Sequence, residues 1–180
     1  MNETENPIGS IWHRWDPHIH LPGTLINDNY GKQCSLNDFI KKINASSPAI
    51  RALGITDYYV LDSYERILPF FKNGKLPNVK LLFANVELRF AVNAAKGSPI
   101  NVHLLISPED NDHIQKAKRF LRDLRFEYNG EDYCCINDDL IRLGNAFEPS
   151  SNDKNYLLKL GAEQFKVTPN DLSKAFKNHK

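Results

Sequence analysis

The sequence predicts an α/β fold built on a largely parallel sheet, as a layer or a barrel. Three observations predict it. Over residues 11–125, short apolar runs alternate about four times with segments of helical apolar spacing, the pattern of successive strand–helix units. With 41% hydrophobic and 25% charged residues in 180, the chain can bury one sizeable core. Each apolar run also carries a potential metal ligand: His18 and His20, then Asp57, then Glu87, then His103. In a parallel sheet the carboxyl ends of the strands share one rim, where such folds place their sites.

Residues 1–9 are polar and acidic, a loose lead-in rather than a secretory leader. Residues 11–15 read as a short apolar strand that delivers Asp16-Pro17-His18-Ile19-His20. Alternate strand residues share a face, so His18 and His20 project together with Asp16 in line behind them. Two imidazoles so placed begin a zinc or transition-metal site, and Asp16 could accept a ring N–H and fix a tautomer. Leu21-Pro22-Gly23-Thr24 marks the exit into a polar loop over 22–34, with Asn27, Asp28, Asn29 and Gly31 as breakers.

Ser35 reads as an N-cap with Asp38 completing a capping box, and Leu36, Phe39, Ile40 and Ile43 make residues 36–46 an amphipathic helix. Residues 52–56 form a buried strand ending at Asp57. Tyr64, Ile67, Leu68 and Phe71 stripe a helix over 63–71, closed by Gly74. Residues 79–83 are a third strand that can continue to Phe90, with Glu87 facing away from Val86 and Leu88. After a turn at 96–99, residues 100–106 form a fourth strand carrying His103, followed by a helix over 110–124.

Beyond residue 125 the pattern changes. Asn129-Gly130 centres a hairpin. A short helix begins at Asn137 and ends at Gly144, residues 145–155 are a polar loop, and residues 156–160 and 172–176 form short helices.

A net charge of +1 excludes a strongly basic nucleic-acid binder, and no apolar run reaches membrane-spanning length. Three cysteines, two of them adjacent, suggest no disulfide framework and fit a reducing cytoplasm. No glycine-rich phosphate loop provides an ATP site. Among the candidate ligands plainer readings stay open: a core histidine at 103, an ion pair of Glu87 with Arg89, and Asp57 capping the following turn. His13, His113 and His179 read as solvated, Cys134-Cys135 as structural, and the basic run Lys116, Lys118, Arg119, Arg122 and Arg125 as a solvated face that could touch phosphate.

Taken in order, Asp16-Pro17-His18-Ile19-His20, Gly54-Ile55-Thr56-Asp57-Tyr58, Asn85-Val86-Glu87 and Val102-His103-Leu104-Leu105 resemble the opening motifs of PHP (polymerase and histidinol phosphatase) domains. His20-Leu21-Pro22-Gly23-Thr24 and Thr56-Asp57-Tyr58-Tyr59 are similar to the PHP domains at the amino end of AAA-like, SMC-like ATPases, some linked to antiphage defence. Residues 126–144 and Gln164-Phe165-Lys166-Val167 are similar to the same branch, so the likeness covers nearly the whole chain.

The resemblance implies a partial (β/α)7-type barrel with a mostly parallel sheet. Residues 1–125 would form its first part, and 126–180 a hairpin and short helices that continue it. It further implies a phosphoesterase with a two- or three-metal cluster of zinc, manganese or iron, acting on phosphate esters, nucleic acid among them. His18 and His20 match the first motif's ligands, Glu87 the bridging carboxylate and His103 the next strand's ligand. Asp57 matches the acid beside the metals, as a ligand or as the group that orients water. Asp57 and Glu87 are thus the catalytic candidates, with Asp16 and Tyr58 in support.

Two features depart from the motifs. Tyr58 stands where a histidine is usual, and a neutral phenol is a poor zinc ligand. The family's later histidine and Asp-x-His have no counterpart, so the chain reads as the first half of a longer barrel whose open edges favour oligomers or a partner such as an ATPase portion. A catalytically degenerate regulatory or protein-interaction module is the second expectation, and a hydrolase of the amidohydrolase kind the third.

Overall fold

In the computed structural model, which describes residues 12–26, 29–30, 33–93 and 99–179, the capping box forms as its residues dictate. Ser35 Oγ accepts from Asp38 N and the Asp38 carboxylate accepts from Ser35 N, which starts α1 (Leu36–Asn44). Its apolar stripe buries Phe39, Ile40 and Ile43, each worth about 1.5–3 kcal/mol when fully removed from water. Helix α2 (Asp62–Lys72) ends in a Schellman motif: Lys75 N donates to Phe70 O, Gly74 N donates to Phe71 O, and Gly74 takes φ +70°.

The main sheet holds four strands in the order β1 (Arg14–His20), β2 (Ile50–Tyr58), β3 (Leu81–Asn93) and β4 (Pro99–Ile106). The first three run parallel and β4 runs antiparallel to β3. A largely parallel sheet is therefore correct for three strands and is corrected at the fourth. Only residues 94–98 separate β3 from β4, and a parallel crossover takes about a dozen residues or more. Strand β1 also begins later than the apolar run suggests and contains the histidines rather than merely delivering them.

Helix α3 (His113–Arg122) follows β4, and the hairpin of β5 (Arg125–Tyr128) and β6 (Glu131–Cys134) follows α3. Asn129 and Gly130 both have positive φ, 52° and 78°, as a two-residue type I′ turn requires. The chain then forms α4 (Asn137–Phe147), α5 (Lys154–Gln164) and α6 (Pro169–Asn178). Gly144 does not end its helix, as the sequence suggested. It lies inside α4, where α4 and α5 cross with almost no separation. A Cβ at Gly144 would sit 2.0 Å from Leu157 O, and one at Gly161 would sit 1.8 Å from Leu140 O. Backbone cannot yield as a side-chain tip can, so Gly161→Ala is expected to destabilise the fold by about 1–3 kcal/mol or more, read as a lowered thermal midpoint.

The C-terminal segment is packed into the same core. Leu53, Val86, Leu121, Leu140 and Phe165 belong to one buried cluster. Beyond the end of β2, Val167 takes the place beside β3: Val167 N donates to Arg89 O and Ala91 N donates to Val167 O. Tyr59 joins these parts. Its buried hydroxyl donates to Phe165 O at 2.6 Å and accepts from Arg89 N at 3.0 Å. Its φ of +65° turns the chain out of β2, a costly conformation for a bulky residue that surrounding packing must hold. No helix among the described residues is long and apolar enough to cross a membrane. The lead-in at 1–9, the breakers Asn27, Asp28 and Gly31, and the turn at 96–98 lie outside the described residues.

Candidate metal centre

Strand register assembles the centre. His20 lies level with Thr56, Tyr58 with Glu87, and Glu87 with His103. Residues paired across a ladder share a face, so one row on one side of the sheet reads His20, Tyr58, Glu87, His103. His18 joins it, its ring centroid 4.5 Å from that of His103 and 5.1 Å from that of His20.

A bulge in β1 makes this possible. Asp16 pairs with Leu53 and Ile19 with Ile55, three steps along β1 against two along β2. The extra residue shifts the alternation by one. Asp16 consequently pairs with Leu53, on the side of the sheet away from His20, and the expected Asp16–histidine contact is corrected. The Thr56 carbonyl fills that role, 3.1 Å from His20 Nδ1. A carbonyl only accepts, so in the neutral ring Nδ1 carries the proton and Nε2 keeps its lone pair.

Two residues not singled out from the sequence hold the bulge and the next histidine. Gly54 lies beneath Pro17, where a Cβ would come within 2.3 Å of Pro17 O. Asn85 Nδ2 donates to that same oxygen at 2.8 Å. This fixes the amide orientation, so Asn85 Oδ1, 3.0 Å from His103 Nδ1, accepts from it. His103 is thereby also left with its lone pair on Nε2. Burial above all, then the neighbouring His18, lowers the pKa of both His20 and His103. Both rings are neutral at pH 7, the form that binds a metal.

Glu87 is the centre of the row, its side chain only 5% exposed. Asn101 Nδ2 donates to Oε1 at 2.5 Å, while Oε2 is buried with no hydrogen bond. His18 Nε2 lies 3.5 Å and His20 Nε2 3.7 Å from Oε2, and the two ring nitrogens are 3.2 Å apart. A triangle with these edges has a centre roughly 2.0 Å from every corner, the length of a zinc–nitrogen or zinc–oxygen bond. His18, Glu87 and His103 form a second, overlapping group with ligand atoms within 4.8 Å of one another. This donor set fits a divalent ion, and the orphaned Oε2 is what such an ion would satisfy.

Tyr58 stacks on His20 with ring centroids 5.0 Å apart and planes at 12°. Burial, then the Glu87 charge, raises its pKa, so it stays a phenol. Asp57 is not brought to the centre, which corrects its assignment as ligand or water-orienting group. It pairs with Val86, on the opposite side of β2 from Tyr58. Its carboxylate accepts from Ser63 N at 2.5 Å and Ser63 Oγ at 2.8 Å, at the start of α2. Ser63 Oγ lies 3.4 Å from Thr24 Oγ1, which donates to Leu21 O at 2.8 Å. Asp57 therefore ties the loop after His20 to α2 and acts on the centre only through that loop.

Burial raises the Asp57 pKa to about 7, against the lowering effect of the two Ser63 hydrogen bonds. The folded state then holds this proton more tightly than the unfolded state, whose carboxyl titrates near ~3.9. Its stabilising contribution is full below about pH 4 and is lost as pH rises to about 7. His20 and His103, lowered in the fold, contribute with the opposite slope, lost as pH falls below about 6.5. Asp57→Asn should remove the first slope and keep the second. Urea midpoints of the metal-free protein at successive pH values would show it.

His13 is exposed, as read from the sequence, whereas His113 and His179 are engaged by neighbours. Tyr64 Oη lies 3.0 Å from His113 Nε2, whose Nδ1 is 2.6 Å from Asp110 O, and His179 Nε2 lies 3.0 Å from Asp123 Oδ2. The signal for Asn85 and Asn101 was present as period-two spacing, each standing two residues before a candidate ligand on the same strand. No protein-family model matches the chain, and no curated protein matches it.

Proposed function

We propose that the chain is a metal-dependent phosphoesterase domain of the PHP type, part of a partial (β/α)7-type barrel within a larger ATPase-linked cytoplasmic protein, with antiphage defence as its setting. The observation that carries the metal reading is the convergence of His18, His20, Glu87 and His103 on one face around an unpartnered buried carboxylate oxygen. The four sequence motifs carry the phosphoester reading, and the cysteines of the chain, all free, fit a reducing compartment.

Imidazole and carboxylate donors suit zinc, manganese or iron. A divalent ion bound here supplies Lewis acidity to a phosphate ester, a nucleic-acid phosphodiester included. The residues themselves orient it. Thr56 and Asn85 hold two rings with their lone pairs free, Asn101 holds Glu87, and Tyr58 stays a neutral phenol beside Glu87. The test is turnover of bis(p-nitrophenyl) phosphate and p-nitrophenyl phosphate with supplied Mn2+ or Zn2+, lost in His18→Ala and His103→Ala.

Tyr58 in the ligand row favours a second reading, a regulatory or interaction module with a degenerate centre. Metal binding without turnover on either ester would select it.

A further inference from the structure

Strand β4 ends the main sheet, and among the described residues no strand pairs with its outer side. A groove of about 510 Å3 runs beside it. Its wall includes Leu104, Leu105 and Ile106 in succession. Consecutive strand residues face opposite sides, so a groove touching all three lies along the strand's edge, where unpaired backbone N–H and C=O groups are offered. The opposite wall comes from α3 and the end of α6 through Phe120 and Phe176. Leu105 is 57% and Phe176 50% exposed, large values for apolar side chains in one groove.

The groove's uncompensated charge is a single cation, Arg119. Lys116 and Arg119 line it, and its single carboxylate, Asp110, is already paired with Lys116. Arg119 has no acidic partner among the described residues.

We propose that the outer edge of β4 docks an extended peptide segment of another protein, one with apolar residues flanked by carboxylates. Its main chain would continue the sheet, its apolar side chains would cover Leu105 and Phe176, and a carboxylate would meet Arg119. A second copy pairing through β4 fits poorly. That strand, Pro-Ile-Asn-Val-His-Leu-Leu-Ile, has no acid, so self-pairing would leave Arg119 unanswered and bring like charges together. A nucleic acid would answer the cations and leave the apolar wall bare. None of the metal-centre residues is used, so the proposal stands or falls apart from the phosphoesterase reading.

The test is fluorescence anisotropy of the full chain with a labelled nonapeptide, Glu-Glu-Val-Thr-Val-Thr-Val-Glu-Glu. Saturable binding is expected, weakened about tenfold or more by Arg119→Glu and by Leu105→Lys, and equally by N-methylation of alternate peptide residues. Both substitutions are at exposed positions, and thermal melts confirm that the variants fold. Three results would overturn the proposal. The first is no binding up to about 1 mM peptide, or equal binding of a lysine-for-glutamate peptide. The second is displacement of the peptide by oligothymidylate at lower concentration. The third is a dimer in sedimentation that Leu105→Lys dissociates, which would assign the edge to a second copy.

Discussion

Glu87→Gln is expected to abolish divalent-metal binding while leaving the metal-free protein more stable than its parent. The two effects share one cause. Oε2 of Glu87 is buried without a hydrogen bond, 3.5 Å and 3.7 Å from two histidine nitrogens. In the metal-free protein an uncompensated buried polar oxygen costs roughly 1–3 kcal/mol, more where it is charged. The amide is neutral and sheds that cost, so the thermal midpoint in chelator should rise. The same amide lacks the anionic donor that anchors a cation, so affinity should fall by more than the ~10–100-fold seen for losing an outer partner of a metal ligand. Calorimetric titration with Zn2+ or Mn2+, beside melts in chelator, reads both. A variant that binds metal as the parent does, or melts far below it, would remove Glu87 from the centre of the account.

Gly54→Ala should have the opposite signature, losing stability and metal together. The added Cβ would lie 2.3 Å from Pro17 O, 2.7 Å from Pro17 C and 2.8 Å from the Phe83 ring. Two of these atoms are backbone, so relief requires moving the β1 bulge itself. Overpacking of this kind costs about 1–3 kcal/mol, occasionally more. Displacing Pro17 also breaks the acceptor that orients Asn85, and with it the tautomer of His103, while His18 follows Pro17 directly. Urea unfolding and metal titration on the same sample separate the effects. Parent-like stability in Gly54→Ala would mean that the close approach of β1 to β2 is not a constraint on the fold.

Much of this arrangement was legible in the sequence because it rests on local rules. The Ser35–Asp38 capping box, the Asn129-Gly130 turn and Gly74 each act within a few residues, and each formed as read. Three of the strands carried candidate ligands, and register brings them to one face, since period-two alternation predicts face once the strand is known. The misreadings arose where one residue, or a distant partner, decided the outcome. The bulge at Pro17 moved Asp16 off the histidine face, a shift of phase that composition does not reveal. Asp57 looked like a ligand at a strand's end, yet its position on the opposite side of β2 turned it to Ser63. Gly144 resembled a helix stop, but its reason for being glycine is Leu157 O on another helix. Asn85 was hidden because its two partners lie 68 and 18 residues away in sequence.

Specific histidine nitrogens, together with Glu87, are expected to hold a divalent ion. The most direct test is the ring-nitrogen NMR spectrum of 15N-labelled protein titrated with Zn2+. Before metal, His20 and His103 should show protonated Nδ1, as their bonds to Thr56 and Asn85 demand. On titration the Nε2 signals of His18, His20 and His103 should move to metal-bound positions at one stoichiometry. Those of His13, His113 and His179 should stay in place. Spectra in which no ring nitrogen responds, or in which His113 or His179 responds instead, would contradict the metal centre described here.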